Sequence, residues 1–194
     1  MDVNALVAKP TPRYAKLRLL EAFGELALAA RLLEAGPVRT AANKAFLAVK
    51  ALVSSLLVYN MEKLDLDKKT SARLRAREYT APTTGLRKYS QWLLAAGIDV
   101  EDLVNLGLLL HMFAYNGLDP GGELSPYGDV EAAARDLKTL AKRLLDKALM
   151  LRDKLPWDED VERGTPARLR RGLELFKSAV VAEVDVVVGQ ALFS

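Results

Sequence analysis

Residues 11–60 read TPRYAKLRLLEAFGELALAARLLEAGPVRTAANKAFLAVKALVSSLLVYN and contain two amphipathic segments separated by Gly36 and Pro37. Thr11 followed by Pro12 is typical of a helix start, because threonine caps free backbone N–H groups and proline tolerates the first helical position. Gly36 is typical of a helix end. So short a connection makes the second helix an antiparallel neighbour of the first. This stretch predicts an αα-hairpin.

The second helix of the hairpin, about residues 37–63, has one narrow polar stripe and an opposing apolar face at the helical period. Its first half is rich in alanine, which lets a neighbouring helix approach closely. The stripe consists of Arg39, Asn43, Lys50 and Ser54. This pattern is typical of an amphipathic helix.

Similar start, period and stop signals predict five further helices. They span about residues 66–79, 84–96, 99–117, 129–155 and 165–191. The helix at 99–117 is apolar nearly all round, so we expect it to be a central buried helix or one covered by a partner subunit. The sequence therefore predicts an all-α, antiparallel up-and-down bundle of about seven helices. Residues 1–156 would form the bundle, and residues 157–194 a linker plus a C-terminal helix packed on the bundle or on a partner subunit.

The composition excludes several classes of site. The chain has 194 residues, of which 51% are apolar, and it contains no cysteine and one histidine. Without cysteine there are no disulfides, zinc ribbons, iron–sulfur ligands or thiol nucleophiles. A di-iron carboxylate site needs two histidines from one bundle. We therefore expect no metal and no cofactor.

No secretory signal and no apolar run long enough to cross a membrane is visible, so we expect a cytoplasmic protein with no membrane partner. The scarcity of glutamine and the absence of cysteine are typical of a prokaryotic thermophile. A net charge of +3 permits nucleic-acid binding without arguing for it.

His111 is the only side chain with an ordinary pKa suited to acid–base chemistry near neutral pH. On a helix it lies one turn from Tyr115, so these two residues are the candidate catalytic pair if the protein is an enzyme. The alternative is a structural histidine in a packed helix, and no carboxylate lies within one turn to orient its ring.

A second candidate site is a basic cluster that could bind nucleic-acid phosphates. It consists of Lys68, Lys69, Arg73, Arg77, Arg87 and Lys88. The alternative is a solvated face neutralised by nearby carboxylates, and in sequence no aromatic residue interrupts the first basic run for base stacking. A third candidate is a small-ligand pocket between helices four, five and six. It would be lined by Tyr89, Trp92, His111 and Tyr115, which at helical spacing are also typical of a core.

The stretch Leu110-His111-Met112-Phe113-Ala114-Tyr115-Asn116-Gly117 resembles a signature of archaeal PaREP-type proteins, which are relatives of the HEPN superfamily of helical bundles. The N-terminal hairpin and the segment Pro82-Thr83-Thr84 are similar to that family in order and spacing. The resemblance implies a HEPN-like bundle, commonly dimeric, with links to RNA cleavage and to partner nucleotidyltransferases. HEPN ribonucleases use an Arg-x(4–6)-His motif, and here Val104, Asn105 and Leu106 occupy the arginine positions. The resemblance therefore implies a bundle without that active site.

Three functions follow as hypotheses. The leading one is a non-catalytic HEPN-like bundle that forms a homodimer and binds a protein, such as a nucleotidyltransferase, or a nucleic acid such as RNA. The second is a metal-independent ribonuclease that uses His111. The third is a small-ligand-binding helical bundle.

Overall fold

The structure, a computed structural model, describes residues 12–77 and 81–162. Within these ranges the chain forms six α-helices and no strand, which confirms the all-α prediction. The helices are α1 (Pro12–Glu34), α2 (Val38–Tyr59), α3 (Lys68–Arg77), α4 (Leu86–Ala95), α5 (Glu101–Asn116) and α6 (Val130–Met150). The seventh helix predicted for residues 165–191, and the predicted cap Thr11, lie outside the described residues.

The α1–α2 hairpin forms as the sequence predicts. Gly36 adopts a φ of +102°, a left-handed conformation that glycine reaches without the strain of a side chain. Ser55 Oγ donates a hydrogen bond to the Ala15 carbonyl at 2.8 Å, and Lys44 pairs with Glu25 at 3.1 Å. These contacts fix the two helices antiparallel.

Helix α2 occupies the centre of the bundle, where it packs against α1, α4, α5 and α6. Thirteen of its 22 residues are buried. Gly107 of α5 lies against Val49, since a Cβ on Gly107 would be 3.3 Å from the nearest valine methyl carbon. By length and composition alone α2 could cross a membrane, but 78% of its apolar window is buried inside the bundle. The apolar character of α2 is therefore that of a core helix.

Helix α5 lies beside α2 rather than at the centre. Leu103, Val104, Gly107, Leu110 and Phe113 are buried on its inner face. Its outer face remains exposed. The sequence left open either burial at the centre of the bundle or cover by a partner subunit, and the described residues do not bury the helix completely.

Helix ends follow local side-chain chemistry. Asp129 caps α6 as predicted, with Oδ1 accepting the Ala132 N–H at 2.6 Å. Asp99, predicted to cap α5, lies one residue before the cap position, and its Oδ1 accepts the Glu101 N–H at 3.1 Å. Helix α2 stops at Tyr59, short of the predicted 63, where Asn60 Nδ2 donates to the carbonyls of Leu56 and Lys154.

Helix α6 also stops early. It ends at Met150, short of the predicted 155, and a 3₁₀ turn (Arg152–Lys154) follows. The start of the predicted charged linker is packed on α1. Lys16 Nζ donates to Asp158 at 2.6 Å and to Asp160 at 2.7 Å, and Val161 is buried. Residues 157–162 are thus held against the bundle.

Candidate nucleic-acid interface

Helix α3 carries five basic and no acidic residues. It begins where it does because Asp67 caps it: Oδ1 accepts the Thr70 N–H at 2.9 Å and Oδ2 accepts the Thr70 hydroxyl at 2.6 Å. The hydrogen bond from that hydroxyl is the main reason that the pKa of Asp67 is lowered. Leu74, which is 3% exposed, anchors the helix to the core. The carboxylate nearest to the start of the basic run is therefore engaged by the helix backbone.

Residues 81–85, which precede α4, are tightly constrained. Ala81 is fully buried at a φ of +44°, a conformation that side chains other than glycine rarely adopt. A 3₁₀ turn, Thr83–Gly85, leads into α4. A Cβ on Gly85 would lie 2.9 Å from a ring carbon of Tyr89, so glycine at this position allows the tyrosine ring to lie over the turn. The turn therefore sets the position of the first aromatic residue of α4.

A cavity of about 250 Å³ lies between α3, this turn and α4. Its lining residues are Thr70, Leu74, Pro82, Thr84, Gly85, Lys88, Tyr89 and Trp92. The rings of Tyr89 and Trp92 have centroids 5.4 Å apart and planes inclined by 40°, and Lys88 Nζ lies 5.0 Å from the Trp92 centroid. The cavity thus combines an aromatic surface, a cation and threonine side chains.

Four cations of α3 and α4 have no carboxylate partner among the residues that the structure describes. Lys68, Lys69, Arg87 and Lys88 are exposed, and none forms an ion pair with a carboxylate in the described ranges. Other lysines differ, since Lys44 pairs with Glu25 and Lys147 with Asp99. Two members of the predicted cluster, Arg73 and Arg77, belong to α3, but their side chains lie outside the description. Helices α3 and α4 therefore carry exposed cations, of which Lys88 also lines the cavity. The surface formed by Lys68, Lys69, Arg87, Lys88 and the cavity is named here the α3–α4 face.

His111 has different surroundings. Its ring stacks on Phe46 with centroids 4.2 Å apart, and its Nδ1 is buried with no hydrogen-bond partner. Burial is the main cause that lowers the pKa of His111, and the charge of Lys50 lowers it further. In the described part of the chain no carboxylate contacts the imidazole. This arrangement holds the ring neutral and packed.

Tyr115, the predicted catalytic companion of His111, is 80% exposed. Its backbone carbonyl accepts a hydrogen bond from Arg39 Nη2 at 2.8 Å. No side-chain hydrogen bond and no ring contact joins Tyr115 to His111. Likewise, of the four residues expected in a small-ligand pocket, Tyr89 and Trp92 line the α3–α4 cavity, while His111 and Tyr115 do not.

The sequence pointed to Tyr89 and Trp92 as pocket residues but not to this cavity against α3, for two reasons. Its turn, Pro82-Thr83-Thr84, indicates only a break between helices. The aromatic residues that accompany the α3 cations come from the next helix, so no interleaving is visible along the chain. The one available signal was the spacing of Lys88 and Trp92, four residues apart on α4.

An exposed apolar surface, named here the α5 outer face, lies on α5 and on the loop that follows it. Its large side chains are Leu109 (38% exposed), Met112 (41%), Tyr115 and Leu124 (64%). Asn116 Nδ2 donates to the Leu124 carbonyl at 2.6 Å and so holds the loop against the end of α5. Contiguous exposed apolar surface is typical of protein–protein contact.

Comparison with known proteins identifies the family. The model of the archaeal PaREP1/PaREP8 family matches residues 17–138, a range that includes the α3–α4 cavity and His111. No curated protein and no solved structure is significantly similar to the chain. The match covers more than half of the sequence, and the chain therefore belongs to the archaeal PaREP1/PaREP8 family.

Proposed function

We propose that the protein is a non-catalytic helical bundle that binds nucleic acid through the α3–α4 face. The observation that carries the proposal is that exposed cations of two helices, for which the described residues show no ion pair, accompany a cavity lined by Lys88 and Trp92. Lysine and arginine side chains bind phosphates and release their counterions, and an aromatic ring adds a surface on which a base stacks. Lys68 is an exposed cation of α3, and Lys88 is a cation of α4 that lines the cavity.

A second cavity, of about 430 Å³, gives a useful contrast. It is lined in part by Lys16 and Trp157 near the start of α1. There Lys16 is held by Asp158 and Asp160 at 2.6 and 2.7 Å, so its charge is already neutralised. The contrast favours the α3–α4 cavity as the site for a polyanion.

The surroundings of His111 support a binding role over catalysis. A ribonuclease histidine must exchange protons with substrate, and its ring is usually oriented by a hydrogen bond. His111 instead packs face to face on Phe46, with Nδ1 buried and without such a bond. Incubation of the protein and of His111→Ala with RNA tests this part, and cleavage that depends on His111 would contradict it.

Charge reversal tests the binding role. Lys68→Glu combined with Lys88→Glu should weaken binding to a labelled RNA or DNA strand by about tenfold or more, measured by fluorescence anisotropy. The slope of the logarithm of the binding constant against the logarithm of the salt concentration should decrease in magnitude by about two, which is one for each lost phosphate contact. Arg135→Glu with Lys142→Glu is the matched control, because both are exposed α6 residues that form no ion pair within the described ranges, and the change in net charge is the same. Equal weakening by both pairs would contradict the proposal.

Self-association is a second proposal, and the α5 outer face supports it. Leu109 and Met112 lie one turn apart on α5 and are both exposed, whereas the leucines of its inner face are buried. A second copy of the chain packed on this face would cover them, as expected for a homodimer. Light scattering tests the proposal, and a strict monomer at micromolar concentration would contradict it.

We also propose that the family belongs with HEPN-like bundles. The antiparallel packing supports this: Arg39 near the start of α2 bonds the end of α5, while Val49 meets Gly107 earlier in α5. An experimental structure compared with HEPN domains is the test. A different order of helices around α2 would contradict the assignment.

A further inference from the structure

We infer that the α3–α4 cavity receives one unstacked base of a single-stranded nucleic acid, so that the protein selects single strands over duplexes. This inference rests on the proposed nucleic-acid binding and adds that the binding distinguishes single strands from duplexes. A charged face alone binds any polyanion, whereas a cavity beside an aromatic ring requires a base that has left its stack.

The walls of the cavity have the chemistry of a base site. Trp92 is half-buried, so its indole has support from the protein and access from the cavity. Leu74 and Pro82 add apolar wall, while Thr84 is exposed and carries a hydroxyl that can donate to or accept from a base edge. Flat faces and polar edges are the two properties by which single-stranded bases are bound.

The aromatic platform is held in place before any ligand binds. Tyr89, which is 3% exposed, lies beside Trp92 with ring centroids 5.4 Å apart. Tyr89 is fixed in turn by its close approach to Gly85, and the buried, strained Ala81 lies two residues before the turn that contains Gly85. A rigid platform loses little conformational freedom when a base stacks on it.

Lys88 links the cavity to the charged face. Its Nζ lies over the Trp92 ring at 5.0 Å from the centroid, where a cation is attracted to the π-surface. A stacking base takes this place, and the flexible four-carbon stem allows the ammonium to turn toward the phosphate beside that base. Lys88 therefore contacts Trp92 before a base binds and the neighbouring phosphate afterwards.

Duplexes lack what this site requires. Their bases are paired and stacked, so a base reaches the cavity only after it is flipped out, at a cost in stacking and pairing energy. A single strand has no base pairs to break, so it presents such a base at a lower cost. The expected result is similar electrostatic attraction for both forms and additional affinity for single strands alone.

The experiment uses the full chain carrying Trp157→Phe, which leaves Trp92 as the remaining tryptophan of the two in the sequence. Three probes of equal length are titrated: a single-stranded oligoadenylate, an abasic strand with the same phosphates, and a blunt duplex. We expect saturable quenching of Trp92 fluorescence by the oligoadenylate alone. Its affinity should exceed that of the abasic strand and of the duplex by roughly tenfold, the effect of one stacked base.

Variants at position 92 complete the test. Trp92→Leu should bring the three affinities together, while Trp92→Phe, which keeps an aromatic face, should keep most of the difference; circular dichroism confirms that each variant folds. Equal affinities of the Trp157→Phe protein for the three probes, with binding still sensitive to Lys68→Glu and Lys88→Glu, would overturn this inference and leave the proposed function standing. Binding to none of the probes would overturn both.

Discussion

His111 and Phe46 stack face to face, with ring centroids 4.2 Å apart and planes inclined by 20°. The contact joins α5 to the central helix α2 at the position that the sequence marks as the candidate acid–base group. Lys50 lies on the same side of α2, with Nζ 5.6 Å from the Phe46 centroid. Burial and this lysine together lower the pKa of His111, so the imidazole packs as a neutral ring.

The stability of the protein should therefore fall as the pH is lowered past the ordinary pKa of histidine. The unfolded chain takes up a proton near pH 6.5, whereas the folded protein resists it, so the unfolded state binds more protons and the free energy of unfolding decreases. Urea unfolding between about pH 7.5 and about pH 5.5 measures the effect.

The matched variant for this prediction is His111→Phe, which keeps the stacked ring and removes both the titration and the unpaired Nδ1. Asp99 and Asp158, whose pKa values are lowered from 3.8, act at more acidic pH and do not enter this range. A pH dependence in His111→Phe equal to that of the natural sequence would show that another group is responsible.

Gly85→Ala should destabilise the protein and disturb the α3–α4 cavity. The new Cβ would lie 2.9 Å from the Tyr89 ring, so the ring or the turn must shift, at about 1–3 kcal/mol. Gly24→Ala is the control: nothing lies within 4 Å of its Cβ in α1, and it should raise stability by about 0.5–1 kcal/mol. Thermal unfolding of both variants is the measurement, and equal melting temperatures would argue against a close approach at Gly85.

Arg39 should hold the end of α5. Its Nε donates to the Ala114 carbonyl at 3.1 Å and its Nη2 to the Tyr115 carbonyl at 2.8 Å, two of the carbonyls that a helix end leaves unbonded. Arg39→Ala should lower the free energy of unfolding by about 1–2 kcal/mol and speed hydrogen exchange in the last turn of α5. Arg135→Ala, at an exposed position of α6, should change neither quantity.

Met112→Glu should convert a self-associating protein to a monomer, because it places a charge in the α5 outer face. Leu17→Glu provides the comparison, since Leu17 is 53% exposed on α1 and lies outside that face. Light scattering at several concentrations distinguishes the two. Dissociation by Leu17→Glu and not by Met112→Glu would place the contact on α1.

The hairpin and the α6 cap were predictable because their signals are local: Gly36 ends α1, and Asp129 binds an N–H three residues on. The stacking of His111 on Phe46 was not, because it depends on how α5 lies against α2. The cavity was harder still to predict. It depends on which face of α4 is turned toward α3, and this orientation follows from the strained backbone at Ala81 and from the packing of Tyr89 over Gly85. Along the chain these residues indicate only a helix break and a core tyrosine.

The central claim is that the α3–α4 face binds nucleic acid. Its most direct test is photo-crosslinking of a single-stranded RNA containing 4-thiouridine to the full chain, followed by peptide mapping. Crosslinks should fall within residues 68–95, with Trp92 the principal site, and should disappear when Lys68→Glu and Lys88→Glu are combined. Crosslinks concentrated instead on α5 around His111 would contradict the account.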